Sequence, residues 1–277
     1  MLACDAAAPR HIPRTRRPPK PRTLRAIRPS LAIEDRYQAA LDAQLAAMQA
    51  SLDRWLIAAY RANEPEIAQD ISPAAALQRA FAALARRWQR RFDDLAPKLA
   101  KWFATATHER SDAALKGALK DAGFTVKFNS TVTTNDVFRA TINENVGLIK
   151  SIASEHLTDV QGLVMRSVQT GRDIGGLREA LQDRYDITKR RATTIARDQN
   201  SKATSAIVRV RQQELGCTQA LWMHSGAGRH PRPSHVAMSG KPYEIAKGVR
   251  LDGEIVWPGT AIKCRCTSKT IIPGLED

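Results

Sequence analysis

The chain lacks most of what would place it in a membrane, in an oxidising compartment or among the common enzymes. No apolar run in its 277 residues approaches the ~18–20 residues that a membrane-spanning helix requires. Its four cysteines are too few and too scattered for a disulfide framework, which points to a reducing cytoplasm. Residues 1–8 are short for a secretory h-region, and basic residues follow rather than precede them. There is no Walker loop, no His-Glu-x-x-His and no paired-carboxylate constellation, so the chain is not expected to be an enzyme. A metal-dependent or Cys/His hydrolase, or a toxin-like enzyme, is the alternative. It would have to pair His235 with Ser234, or His230 with Cys264, as base and nucleophile, and neighbouring positions in sequence do not establish that geometry.

Acidic residues are also scarce. Asp and Glu number 28 against 43 Lys and Arg, giving a net charge of +15 and a pI near 10.1. Such an imbalance favours a polyanionic partner, because each cation that meets a phosphate releases condensed counterions. Much of it is concentrated near the start. Between residues 9 and 29 six prolines alternate with Arg10, Arg14, Arg16, Arg17, Lys20, Arg22, Arg25 and Arg28, with no acidic residue among them. Close prolines forbid helix and like charges repel, so residues 1–33 read as an extended or disordered basic arm that contacts nucleic acid. No helix-turn-helix or zinc-finger spacing supports sequence-specific readout, and a sequence-nonspecific nucleic-acid-binding protein is a further alternative function.

From Glu34 the pattern is helical. Tyr37, Leu41, Leu45, Met48, Leu52, Trp55 and Ala59 recur at steps of three and four and share one face. Asn63-Glu-Pro65 interrupts the run, and Ser72 followed by Pro73 signals a new helix start. Leu77, Phe81, Leu84, Trp88, Phe92, Leu95 and Leu99 repeat the stripe, with Pro97 expected to kink or restart the helix. Residues 34–130 are therefore assigned to a helical-hairpin region, including a further helix from Ser111 to Ala122 and a short strand or extended connector at Phe124–Phe128. Residues 131–216 form a second helical region. Thr134 or Asn135 caps its first helix, shorter helices cover Leu157–Thr170 and Ile174–Arg184, and Thr188 opens a last long helix. Off the stripe, Arg86, Arg87, Arg90 and Arg91 form a basic face that is solvated by default.

Residues 217–277 change character. Gly and Pro become dense, and three of the six histidines and two of the four cysteines lie between Leu221 and Thr267. Cys264 and Cys266 point to one face if extended. His235 arrives from a turn-rich segment about thirty residues earlier, and a β-hairpin-rich module would bring the two ends together. Thiolate and imidazole donors select zinc, with His235, Cys264, Cys266 and His230 as candidate ligands and His224 or Asp252 as other fourth partners. The Cys-x-Cys spacing falls short of the usual C-x₂₋₄-C, and the same residues would also serve as a packed core. The fold class is α+β, mainly helical in its N-terminal and central regions, with a small C-terminal β module.

The sequence Trp222…Arg232-Pro-Ser234-His235, Gly240-Lys241, and a closing Pro-Gly…Cys264-Arg-Cys266 resembles the C-terminal module of the phage Mu F-type head morphogenesis family, the minor head proteins of tailed phages. The similarity extends to Arg190-Arg-Ala192, Ile195-Ala-Arg197-Asp-Gln199 and, more loosely, Asn145…Lys150. Many relatives carry Thr-Glu where this chain has Asp198-Gln199, and others an additional Cys-x-x-Cys where it has Arg232–His235. The resemblance implies a structural role inside the virion head. The implied partners are the portal protein, packaged double-stranded DNA and scaffold or major capsid protein, with synthesis in the host cytoplasm and no membrane. It also implies that Trp222, Arg232, Ser234 and Gly240 belong to the structural motif, with Arg197 as a structural ligand of the Cys/His loop.

Overall fold

The computed structural model describes residues 21–62, 73–169, 174–226, 228 and 230–276. A short strand β1 (Pro21–Thr23) is followed by four long helices, α1 (Leu31–Ala62), α2 (Pro73–Asp121), α3 (Val132–Gln169) and α4 (Ile174–Glu214). The small elements come last. They are β2 (Gln219–Met223), α5 (Pro233–Ala237), β3 (Pro242–Glu244), β4 (Val249–Leu251), β5 (Glu254–Val256) and β6 (Thr267–Glu276). The expected α+β class, helical first and β-rich last, is what the fold shows. At ~1.5 Å per residue α2 alone runs for about 70 Å.

Both apolar stripes are buried. Tyr37, Leu41, Leu45, Met48, Leu52, Leu77, Phe81, Phe92 and Phe103 lie in one core that α3 and α4 complete with Ile149, Ile152, Val160 and Ala196. The helices are fewer and longer than the sequence suggests. Pro97 lies inside α2, and its side chain is exposed. The proline costs α2 one backbone hydrogen bond, to the carbonyl four residues back, without ending the helix. Ser111 and Thr188 start no new helices. The Thr188 hydroxyl donates to the Arg184 carbonyl at 3.0 Å, four residues back, so a residue that reads as a cap is satisfied in mid-helix. The cap of α3 is Thr131 rather than Thr134 or Asn135. Thr134 N donates to the Thr131 hydroxyl at 3.2 Å and Thr131 N to the Thr134 hydroxyl at 2.9 Å, the reciprocal pattern of a capping box. Phe124–Phe128 is a connector without strand pairing. The breaker at Asn63–Pro65 and the cap at Ser72 lie outside the described residues.

A buried polar line sets the helix register. Tyr37 donates to Asn145 Oδ1 at 2.8 Å. The Asn145 amide donates to the Thr141 carbonyl at 2.8 Å and to Gln199 Oε1 at 2.9 Å. Gln199 in turn donates to Glu144, which also receives Lys202 at 2.6 Å. Burial raises the Tyr37 phenol well above its ordinary pKa, which keeps it a donor. A second fixed point joins α2 to α4. The nearly inaccessible Arg211 grips both oxygens of Asp112 at 2.9 and 2.8 Å, reaches Glu214 and the Asn129 carbonyl, and lies over the Phe128 ring. Every edge of the guanidinium is thus used, as a buried cation requires.

The four-stranded antiparallel sheet has the order β1-β6-β2-β3, and β4-β5 is a separate hairpin. That hairpin turns at Asp252-Gly253, both at positive φ (51° and 90°), as a two-residue Asp-Gly turn demands. The strand β1 changes one expectation. Residues 21–29 read as an unpacked arm, yet Pro21–Thr23 pair with β6, Leu24 N donates to the Thr270 carbonyl at 2.9 Å, and Leu24 and Ile27 are buried against Leu115, Leu119 and Val208. Two apolar residues three apart, hidden among arginines, anchor the base of the arm.

Candidate functional site

The Cys/His loop is assembled from three directions. The strand β2 supplies Trp222, fully buried, whose backbone carbonyl accepts from Gly240 N at 2.7 Å while its N–H donates to the Lys241 carbonyl at 2.9 Å. The short helix α5, opened by Pro233, places the buried His235 edge-on against the Trp222 ring, with centroids 5.2 Å apart. The turn Trp257–Cys266 brings the two thiols. Gly259, at φ 88°, is where this turn presses on α4. A Cβ there would lie 3.2 Å from the Cys266 carbonyl oxygen and 3.4 Å from that of Ser201. Ser205 on α4 donates to the Pro258 carbonyl at 2.7 Å, and the Asp198 carboxylate accepts from Lys263 N at 2.9 Å. That bond restrains Lys263 at φ 59° just before Cys264.

His235 Nδ1 lies 3.5 Å from Cys264 Sγ and 3.7 Å from Cys266 Sγ. The three donor atoms lie within 4.8 Å of one another, and all three residues are buried. The thiols titrate as a pair. The hydrogen bond from Cys266, helped by the backbone N–H groups of Cys266 and Gly259 and by His235, takes Cys264 down to about 5 against the opposing effect of burial. The Cys266 thiol, which donates that bond and is itself buried, is pushed up. One proton therefore leaves readily and the second does not. The buried Trp222 indole N–H lies beside Cys266, where it favours a thiolate.

The other sequence-derived candidates fall in various places. His230 is exposed and, with His224, Arg232, Lys263 and Arg265, lines a cavity of about 190 Å³ against the cluster. Arg232 donates to the Ile262 carbonyl at 2.9 Å, bridging the α5 turn to the cysteine turn. The Ser234 hydroxyl bonds Asp252 at 2.7 Å, so this serine and this carboxylate engage each other. Arg197 does not serve the loop. It pairs with Glu34 on α1 at 3.2 Å, and Asp198, one position on, makes the loop contact. A step of one residue turns a helical side chain by about 100°, which decides between the two faces of α4. Of the arm, Arg22, Arg25 and Arg28 are described, and Arg25 pairs with Asp121 at 3.2 Å. Arg10, Arg14, Arg16, Arg17 and Lys20 lie outside the described residues.

Two buried groups had no signal in the sequence. Arg211 is one. The other is His156, whose Nδ1 lies 2.9 Å from the Thr188 hydroxyl. That hydroxyl donates to Arg184, so it must accept from His156, and the proton is on Nδ1. Nε2 is buried and has no partner among the described residues. Desolvation, reinforced by Arg184 and opposed by Asp159, lowers the imidazole pKa to about 4.

A helical body with a small antiparallel module attached to its last helix is the architecture on which these residues sit. Residues 158–269 match the family model described as Phage Mu protein F like protein, and over this stretch the chain resembles Mu F-like phage head morphogenesis proteins. A protein of Haemophilus influenzae described as an uncharacterized protein is 33% identical over 132 residues, covering 48% of this chain and 29% of that relative. The chain thus spans less than a third of that protein's length. No solved structure matches. Among the described residues no helix is long and apolar enough to cross a membrane.

Proposed function

We propose that the chain is a minor head protein of a tailed phage, seated beside the portal inside the capsid, with its basic arm on the packaged DNA. The observation that carries this reading is the Mu F-like match over residues 158–269. Net charge supports the DNA contact, since a +15 chain next to a dense polyanion replaces counterions rather than protein ligands. The placement of β1 fits as well, because it pairs at the edge of the sheet and holds residues 21–23 there. The long helices supply the docking surface for portal or scaffold. On α2, Arg86, Arg87, Arg90 and Arg91 are all exposed, and of these Arg87 donates to Ser51 and Arg91 to Gln44 on α1.

The enzyme reading draws nothing from Ser234, whose hydroxyl is engaged by Asp252. Deleting the gene from the phage genome tests the assignment. Tails without DNA-filled heads, restored by a plasmid copy, are expected. An undiminished yield of infectious particles would overturn it.

A further inference from the structure

We propose that His235 Nδ1, Cys264 Sγ and Cys266 Sγ hold a zinc ion with three protein ligands, and that its fourth position opens onto the cavity lined by His224 and His230. The proposal is independent of the head assignment.

Geometry is the first support. Zn–S bonds of ~2.3 Å and Zn–N bonds of ~2.0–2.1 Å, set at the tetrahedral angle, separate sulfur from nitrogen by about 3.5–3.6 Å. The two observed separations are 3.5 and 3.7 Å. Hydrogen bonding accounts for this arrangement poorly. An imidazole Nδ1 has one in-plane site, either a proton or a lone pair, and here two sulfurs approach the same atom. A shared cation satisfies both. The third support is the surroundings. The Trp222 indole N–H is buried beside Cys266, and a donor so placed favours that sulfur in its anionic form. Two thiolates cancel the charge of the ion, and their protons go to solvent.

The fourth position follows from what is missing from the set. Neither His224 nor His230 belongs to the group of donor atoms within 4.8 Å of one another, although both line the adjoining cavity. The wall there is basic, with Arg232, Lys263 and Arg265. Water or a small oxyanion is the ligand that this chemistry suits. A Cys₂His set with an open position is the pattern of an exchangeable site, whereas closed structural sites fill all four positions from the protein.

The test uses the full-length protein. Elemental analysis after purification without added metal should give one zinc per chain. Cobalt(II) substituted for zinc should give the intense visible bands of a four-coordinate, thiolate-bound ion. Cys264→Ser should abolish both while far-ultraviolet circular dichroism retains the helices. If that variant does not fold, chelation and re-addition of zinc to the wild-type chain takes its place. Loss and recovery of the cobalt bands would support the site, and no uptake would overturn it. The double variant His224→Ala/His230→Ala tests the open position. Unchanged stoichiometry and cobalt spectrum are expected, and loss of the metal would show a closed site completed by one of these histidines.

Discussion

The helical body and the C-terminal module solve the same problem in different ways. The body buries long continuous stripes from four helices and then fixes their register with Tyr37–Asn145–Gln199 and Arg211–Asp112. The module has a cluster of eight buried residues, and two of these are Cys264 and Cys266. A core that small is marginal by itself. It depends on α4, through Asp198–Lys263, Ser205–Pro258 and Gln212–Thr270, and on Arg209 over the Trp257 ring at 4.1 Å. The long helix α4 thus belongs to both regions. The body carries a large core of its own, whereas the module's small core leans on a helix of the body.

Breaking the body should cost most. Arg211→Ala leaves Asp112 and Glu214 without their buried cation, and a loss of about 3–5 kcal/mol is expected from the known cost of orphaning one member of such a pair. Urea denaturation followed by helical ellipticity measures it. A loss below about 1 kcal/mol would mean that the pair is not a fixed point of the fold.

Asn145→Leu comes next. It removes the acceptor of Tyr37 and the donor to Gln199, leaving two buried groups unpaired at about 1–3 kcal/mol each. Tyr37→Phe in the same background should recover part of the loss, because only Gln199 is then unpaired. If the two changes are simply additive, the line is not a network.

The pH dependence of the body has a defined sign. His156 binds its proton at about 4 when folded and near 6.5 when unfolded. The unfolded state therefore holds more protons between those values, and stability is lost as pH falls from 6.5 to 4. The contribution is about 2–4 kcal/mol across the window and nil above it. Denaturant midpoints for wild type and His156→Gln at pH 7 and 4.5 separate this group from the carboxylates. Equal pH sensitivity in the two proteins would exclude it.

The smallest effect on stability should come from removing residues 1–20. The anchors Leu24 and Ile27 stay in place, so the melting temperature should barely move. DNA affinity should behave differently. Five of the eight arm cations are lost, and the salt dependence should flatten by about 0.9 per lost phosphate contact. An unchanged salt slope would move the DNA contact to the exposed Arg86 and Arg90 face.

How much of this was legible in the sequence differs between the two regions for a physical reason. The stripes Tyr37–Ala59 and Leu77–Leu99 were readable because helical periodicity alone decides which residues are buried. The continuity of α2 and α4 was not. Pro97, Ser111 and Thr188 are local breakers or caps whose effect the tertiary context overrides, and nothing local distinguishes a capping threonine from one bonded back to its own helix. In the module, residue types marked the Cys/His loop, and the Mu F-like resemblance found its frame. The contact partners were not legible. Asp198, rather than Arg197, reaches Lys263, and Glu34 takes Arg197, because those pairings depend on the helix face and on residues more than 60 positions apart. Leu24 and Ile27 were hidden by the charge around them.

The proposed place of the chain in the phage head makes a direct demand on particle composition. The most direct measurement is quantitative mass spectrometry of proheads and DNA-filled heads purified from an induced culture. A minor head protein should be found in both particles, at far fewer copies than the major capsid protein and in a fixed ratio to the portal. A chain abundant in the lysate and absent from both particles would contradict it.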